Sequence, residues 1–86
     1  MIEPTPEHDT YNIRYVLRGG SKWVSRWFDN PNKARLFFID ERHRFEIYQI
    51  LEYSYRPVSH EIRYLSDQKL FDRAFLQLEC EKLGCN

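Results

Sequence analysis

The chain has 86 residues, and its thirteen basic and thirteen acidic side chains cancel to a formal net charge of zero. That length implies one domain, and neutrality argues against a generic polyanion binder, since such domains are usually clearly basic. So small a domain buries only about 60–65% of its unfolded surface, and its six Tyr, six Phe and two Trp supply the large buried areas an efficient core needs.

Residues 1–10 contain Glu3, Glu7 and Asp9, no cation, Pro4 and Pro6, and almost nothing apolar. They are expected to be a flexible acidic arm of net charge −3, ahead of a compact α+β domain over 11–86. Met1-Ile2-Glu3-Pro4 has neither a charged n-region nor an apolar h-region, so no targeting signal is expected. No apolar run approaches a membrane span.

Residues 11–18 alternate, with Tyr11, Ile13, Tyr15 and Leu17 on one face and Asn12, Arg14, Val16 and Arg18 on the other. Period two marks a half-buried strand. Gly19-Gly20-Ser21 makes the turn, and residues 22–28 resume the alternation, with Trp23, Ser25 and Trp27 against Lys22, Val24, Arg26 and Phe28. Turn length decides which way the tryptophans face. A three-residue loop places Arg18 opposite Lys22, Leu17 opposite Trp23 and Ile13 opposite Trp27, which gathers the apolar bulk on one side. A two-residue loop moves both tryptophans to the arginine face and buries Arg26 beside Tyr15. The three-residue loop is the expectation, so the tryptophans are read as core.

Asp29 or Asn30 can cap a helix whose first position is Pro31 and which runs to about Glu41. Its apolar set, Ala34, Leu36, Phe37, Phe38 and Ile39, covers more than one stripe, so part of it must meet a second element or a partner. Residues 45–55 read as a long strand that Arg56-Pro57 breaks. Val58, His60, Ile62 and Tyr64 mark a fourth strand. Ser66 or Asp67 then caps a final helix that Gly84 ends, with a stripe of Phe71, Ala74, Phe75 and Leu78 and an offset set of Leu76, Cys80 and Leu83. The fold expected is α+β, in the order β-β-α-β-(β)-α, with a three- or four-stranded, mainly antiparallel sheet and two helices on one face.

Catalytic chemistry is not expected. The three glycines form no phosphate-cradling pattern. Ser59, His60 and Glu61 are consecutive in a strand and point to alternating faces, so they form no relay. Glu7, His8 and Asp9 lie in the arm, which holds no rigid geometry. Cys80 and Cys85 lack a second pair at zinc-finger spacing, and His8, His43 and His60 are scattered, so neither a metal nor another cofactor is expected. Two reduced thiols fit a cytoplasmic location.

The binding signals are two. Residues 11–35 carry Arg14, Arg18, Lys22, Arg26, Lys33 and Arg35 against Asp29 alone, net +5, a basic face suited to phosphate or groove contact. Over residues 11–42, the hairpin followed by a capped helix resembles the three-stranded arm-type domains of phage integrases, without their strong net positive charge. The second signal is surplus apolar surface on both helices, with Ile39 and Leu76 as the residues expected to face a twin or a foreign partner. In type, a compact, neutral, aromatic-rich α+β chain without catalytic apparatus resembles accessory proteins of phages and mobile elements, many of them stoichiometric inhibitors of host machinery. That likeness implies a non-enzymatic protein-interaction module, a protein partner or a homodimer, and no membrane association. Nucleic-acid binding through the basic hairpin 11–35 is the alternative.

Overall fold

A computed structural model describes residues 9–54 and 61–83. Four strands, β1 (Thr10–Leu17), β2 (Val24–Phe28), β3 (Phe45–Ser54) and β4 (Glu61–Leu65), form one sheet in the order β2-β1-β3-β4. Every neighbouring pair is antiparallel. Helix α1 (Pro31–Glu41) follows β2, a single 3-10 turn (Arg42–Arg44) leads into β3, and helix α2 (Asp67–Leu83) follows β4. The expected α+β order is therefore observed, with the fourth strand present and the helices packed against the sheet. Thr10, read as the last residue of the arm, is the first of β1, where it pairs with Tyr53. Residues 1–8, Val58, His60, Gly84 and Cys85 lie outside the described residues.

The hairpin register differs from the expectation. Gly20 N–H donates to the Leu17 carbonyl at 2.8 Å, and Gly19 takes φ +79°. This closes a β-turn over residues 17–20, with a glycine where positive φ is required. Pairing of β1 with β2 starts only at Tyr15 and Val24, and Ile13 stands opposite Arg26 and not opposite Trp27. A one-residue slip reverses every side chain of β2. Phe28 now turns in, 5.3 Å from Phe37 of α1, and Trp27 turns out. The cost expected for this register, a buried Arg26, does not arise. β2 is an edge strand, Arg26 stays exposed, and its guanidinium lies 5.3 Å over the Phe37 ring, a favourable cation–π position.

A bulge between β1 and β3 makes a second departure from simple alternation. Val16 pairs with Ile47 but Leu17 with Phe45, so Glu46 is the extra residue. Phe45 is thereby brought to the helix side, stacked on Tyr15 at 4.3 Å and 16°. Simple alternation along 45–55 would put Ile47 and Leu51 on the face of Phe45, and both point the other way.

The core lies between the sheet and the helices: Tyr11, Ile13, Tyr15, Phe45, Ile50 and Leu65 from strands, Ala34 and Phe38 from α1, Leu70 and Ala74 from α2. Asn30 caps α1 by accepting from Lys33 N–H at 2.8 Å, with Pro31 at the first turn. Ser66 caps α2 by accepting from Lys69 N–H at 3.2 Å. Gln77 of α2 accepts from Asn32 N–H at 3.0 Å, which ties the two helices together. Phe75 and Leu78, expected in the core stripe of α2, are exposed, because Leu70 and Ala74 are the residues that meet the sheet.

Candidate interaction surfaces

The pleat sorts the strand residues into two faces. Opposite the helices stand Thr10, Asn12, Arg14 and Val16 of β1, Ser25 and Trp27 of β2, Ile47, Gln49, Leu51 and Tyr53 of β3, and Ile62 and Tyr64 of β4. Trp23, just before β2, joins them, lining with Arg14, Ser25 and Gln49 a shallow recess of about 370 Å³. Both tryptophans are 53% exposed and Tyr64 is 67% exposed, and Ile47 and Ile62 are likewise open. The tryptophans were expected in the core; they lie instead on this open face. Among the described strand residues on the face, Arg14 is the single charge.

Arg14 is held in place. Its Nε donates to Asn12 Oδ1 at 3.0 Å and its Nη2 to the Tyr53 hydroxyl at 3.1 Å. Asn12, fully buried, donates in turn to Ser25 Oγ at 2.8 Å and to the Arg26 carbonyl at 3.0 Å. The Tyr53 ring packs 4.8 Å from Trp27. The floor of the face is thus a satisfied polar network, flanked on one side by tryptophans and on the other by Ile62 and Tyr64.

The basic residues do not share one face as expected. Arg14 is on the open face and Arg26 on the helix side, because successive register places them in oppositely directed positions. Arg18 sits at the turn, donating to the His43 carbonyl at 3.1 Å and paired with Glu46 at 3.4 Å. Lys22 is exposed in the connection before β2. Lys33 and Arg35 are on α1, where Lys33 pairs with Asp29 at 3.1 Å and Arg35 donates to Asn32 Oδ1 at 2.9 Å. The positive charge of this segment is dispersed over three sides of the fold and partly compensated by Asp29 and Glu46.

The helix layer carries a second apolar surface. A groove of about 390 Å³ between α1 and α2 is lined by Arg35, Ile39, Phe71, Asp72, Phe75 and Leu78, among others. Ile39 is 43% exposed inside it, and Leu76 is 61% exposed but outside the lining. Both side chains are open, as expected, yet they do not form one patch.

Beneath α2 lies a buried polar group that the sequence pattern did not reveal. Glu52, 3% exposed, accepts from the Tyr11 hydroxyl at 2.9 Å and from Arg73 Nε at 2.8 Å. Burial first, then the hydrogen bond to Glu52, pushes the Tyr11 phenol well above its ordinary value. The same carboxylate raises the Arg73 guanidinium. At the start of α2, Tyr48 donates to both carboxylate oxygens of Asp67, at 2.9 and 3.0 Å, and its phenol is raised by burial and by that contact. The Arg73–Glu52 and Tyr48–Asp67 contacts fasten α2 to the sheet, and Tyr11–Glu52 ties β1 to β3 beneath it.

Among the described residues, no three His, Cys, Asp or Glu side chains gather as a metal site would require. No described helix is long and apolar enough to cross a membrane. Set against family models, curated proteins and solved structures, the chain matches none.

Proposed function

We propose that the protein is a non-enzymatic protein-interaction module whose docking surface is the open face of the sheet. The carrying observation is the pair of tryptophans, each 53% exposed, on the side of the sheet that the helices leave bare. With Ile47, Ile62 and Tyr64, and with side chains of roughly 200 Å² each, they leave roughly 500–600 Å² of mostly apolar surface open. This is at the upper end of the largest patch on an ordinary monomer, about 300–600 Å². Trp, Tyr and Arg are also the residue types that dominate binding hot spots. The likeness in type to accessory proteins gives such a module the form of a stoichiometric binder.

Nucleic-acid binding through the hairpin is less well supported. Its cations are spread over three sides, and among the described strand residues the tryptophan face offers Arg14 alone, already engaged by Asn12 and Tyr53.

The test compares tagged wild type with a Trp23→Ser, Trp27→Ser variant. The wild type is expected to retain protein in stoichiometric amount, its own untagged copies included, and the variant to lose it while keeping its circular dichroism. Titration with labelled single strands and duplexes at two salt concentrations is expected to show no binding. Identical capture by both proteins, or nucleic-acid binding that weakens steeply with salt, would overturn the reading.

A further inference from the structure

We propose, resting on the reading of this face as a docking surface, that the protein it docks is a second copy of this chain, the two sheets closing into a sandwich with helices outside.

The face is complementary to itself. Trp27, Asn12, Leu51 and Tyr64 form one cross-strand row through all four strands, and Ser25, Arg14 and Gln49 form the next. Consider a two-fold axis between two such faces, parallel to the strands and centred between β1 and β3. It carries β2 over β4 of the second copy and β1 over β3, and leaves heights along the strands unchanged. Trp27 then stands over Tyr64 of the second copy, a pairing of large aromatic edges that favours association. Arg14 stands over Gln49 of the second copy, so the cation of the described strand residues meets an amide that can accept from it and not its own image. The contact is isologous, the common form of a homodimer.

Packed sheets cross at about 30°. With strands about 4.8 Å apart, that displaces the edge strands by roughly 4 Å, within the reach of Trp and Tyr side chains. The area is also adequate. The roughly 500–600 Å² of large exposed side chains, extended by Arg14, Gln49 and Ser25 around the buried Asn12, Val16 and Leu51, approaches the roughly 800 Å² per partner of a standard interface. No unsatisfied buried side-chain polar atom occurs among the described residues, and the Asn12, Arg14 and Tyr53 network enters the interface already bonded, which lowers the desolvation cost of covering it.

Both tryptophans of the protein lie on this face, so their emission reports on it specifically. Sedimentation equilibrium from micromolar to near-millimolar concentration is expected to show the mass of two chains, with tryptophan emission moving to shorter wavelength as the mass doubles. Trp27→Glu and Tyr64→Lys are each expected to be monomeric with unchanged circular dichroism, since both positions are exposed. Mixing the two variants is expected to restore association, one edge carrying the new ion pair and the other the native Trp and Tyr. An Ile39→Glu, Leu76→Glu variant is expected to remain dimeric. A monomeric wild type at every concentration would overturn the proposal, and so would a dimer whose emission does not shift or that Ile39→Glu, Leu76→Glu dissolves. If the wild type is monomeric yet still captures a foreign protein through Trp23 and Trp27, self-association fails and the docking reading stands.

Discussion

Trp27 and Phe28 are adjacent in the chain and serve opposite sides of the sheet. Phe28 packs on Phe37 under the helices, and Trp27 leans on Tyr53 in the open. Size and hydrophobicity would assign both to the core; the pleat admits only one. Phe38, with no exposed surface and contacts to Phe45, Tyr48 and Phe71, is the deeper anchor. Phe38→Ala is expected to cost about 3–5 kcal/mol, and Trp27→Ala roughly half as much, because half of its surface is open. Urea unfolding at low protein concentration measures both, and equal losses would contradict the assigned faces. Tyr11 supplies a second residue-scale prediction. Its folded phenol is held above the ordinary value by burial and Glu52, so the unfolded chain ionises first as pH rises. The contribution is complete below about pH 10 and is lost above it, since there the folded state binds more protons. The urea midpoint is expected to fall across the alkaline range in the wild type and to fall less steeply in Tyr11→Phe; equal alkaline slopes would show that Tyr11 does not carry the effect.

At the scale of elements, the helix starts follow from local chemistry. Asn30 accepts from Lys33 N–H, and Pro31 takes the position whose N–H has no helical partner. Asn30→Ala is therefore expected to destabilise by about 1 kcal/mol, read as a lowered melting temperature, with Asn30→Asp close to wild type. The strands were legible as strands from alternation, and β1 in its facing, but β2 and β3 were not. Two local irregularities decide that: the turn over residues 17–20, where Gly19 takes positive φ, and the extra residue Glu46. Each changes the residue count between paired positions by one, and one residue is enough to invert a face. Neither leaves a mark in composition or periodicity. Gly19-Gly20-Ser21 accommodates turns of either length, and Phe45 and Ile47 alternate as though no bulge separated them.

For the molecule as a whole, both described helices pack on one side of the sheet and leave Trp23, Trp27, Ile47, Ile62 and Tyr64 exposed on the other. If two copies close on that face, the melting temperature rises with protein concentration by mass action. The Trp27→Glu variant is expected to melt at one temperature at all concentrations, and a wild type that did the same would speak against the sandwich. The dispersal of cations belongs to this scale too. A segment of net +5 in sequence is a basic patch only if the fold brings its side chains to one side. Here strand alternation parts Arg14 from Arg26, and the chain carries Lys33 and Arg35 onto a helix.

What the sequence by itself determined was the order of the elements and the short stretch in which each helix starts, with the fourth strand and the choice between Asp29 and Asn30 and between Ser66 and Asp67 left open. These rest on interactions within a few residues: alternation, an Asn or Ser three positions before the N–H it accepts, a proline at the first turn. Only the tertiary structure decided which residues face one another. The outward tryptophans, the buried Glu52 between Tyr11 and Arg73, and the row joining Trp27 to Tyr64 all depend on pairings between segments distant in the chain. Such pairings are selected by how the whole core fills. With Phe37, Phe38 and Phe45 already occupying the space under the helices, Phe28 closes its edge, and the two largest side chains of the hairpin are directed to the side away from the helices.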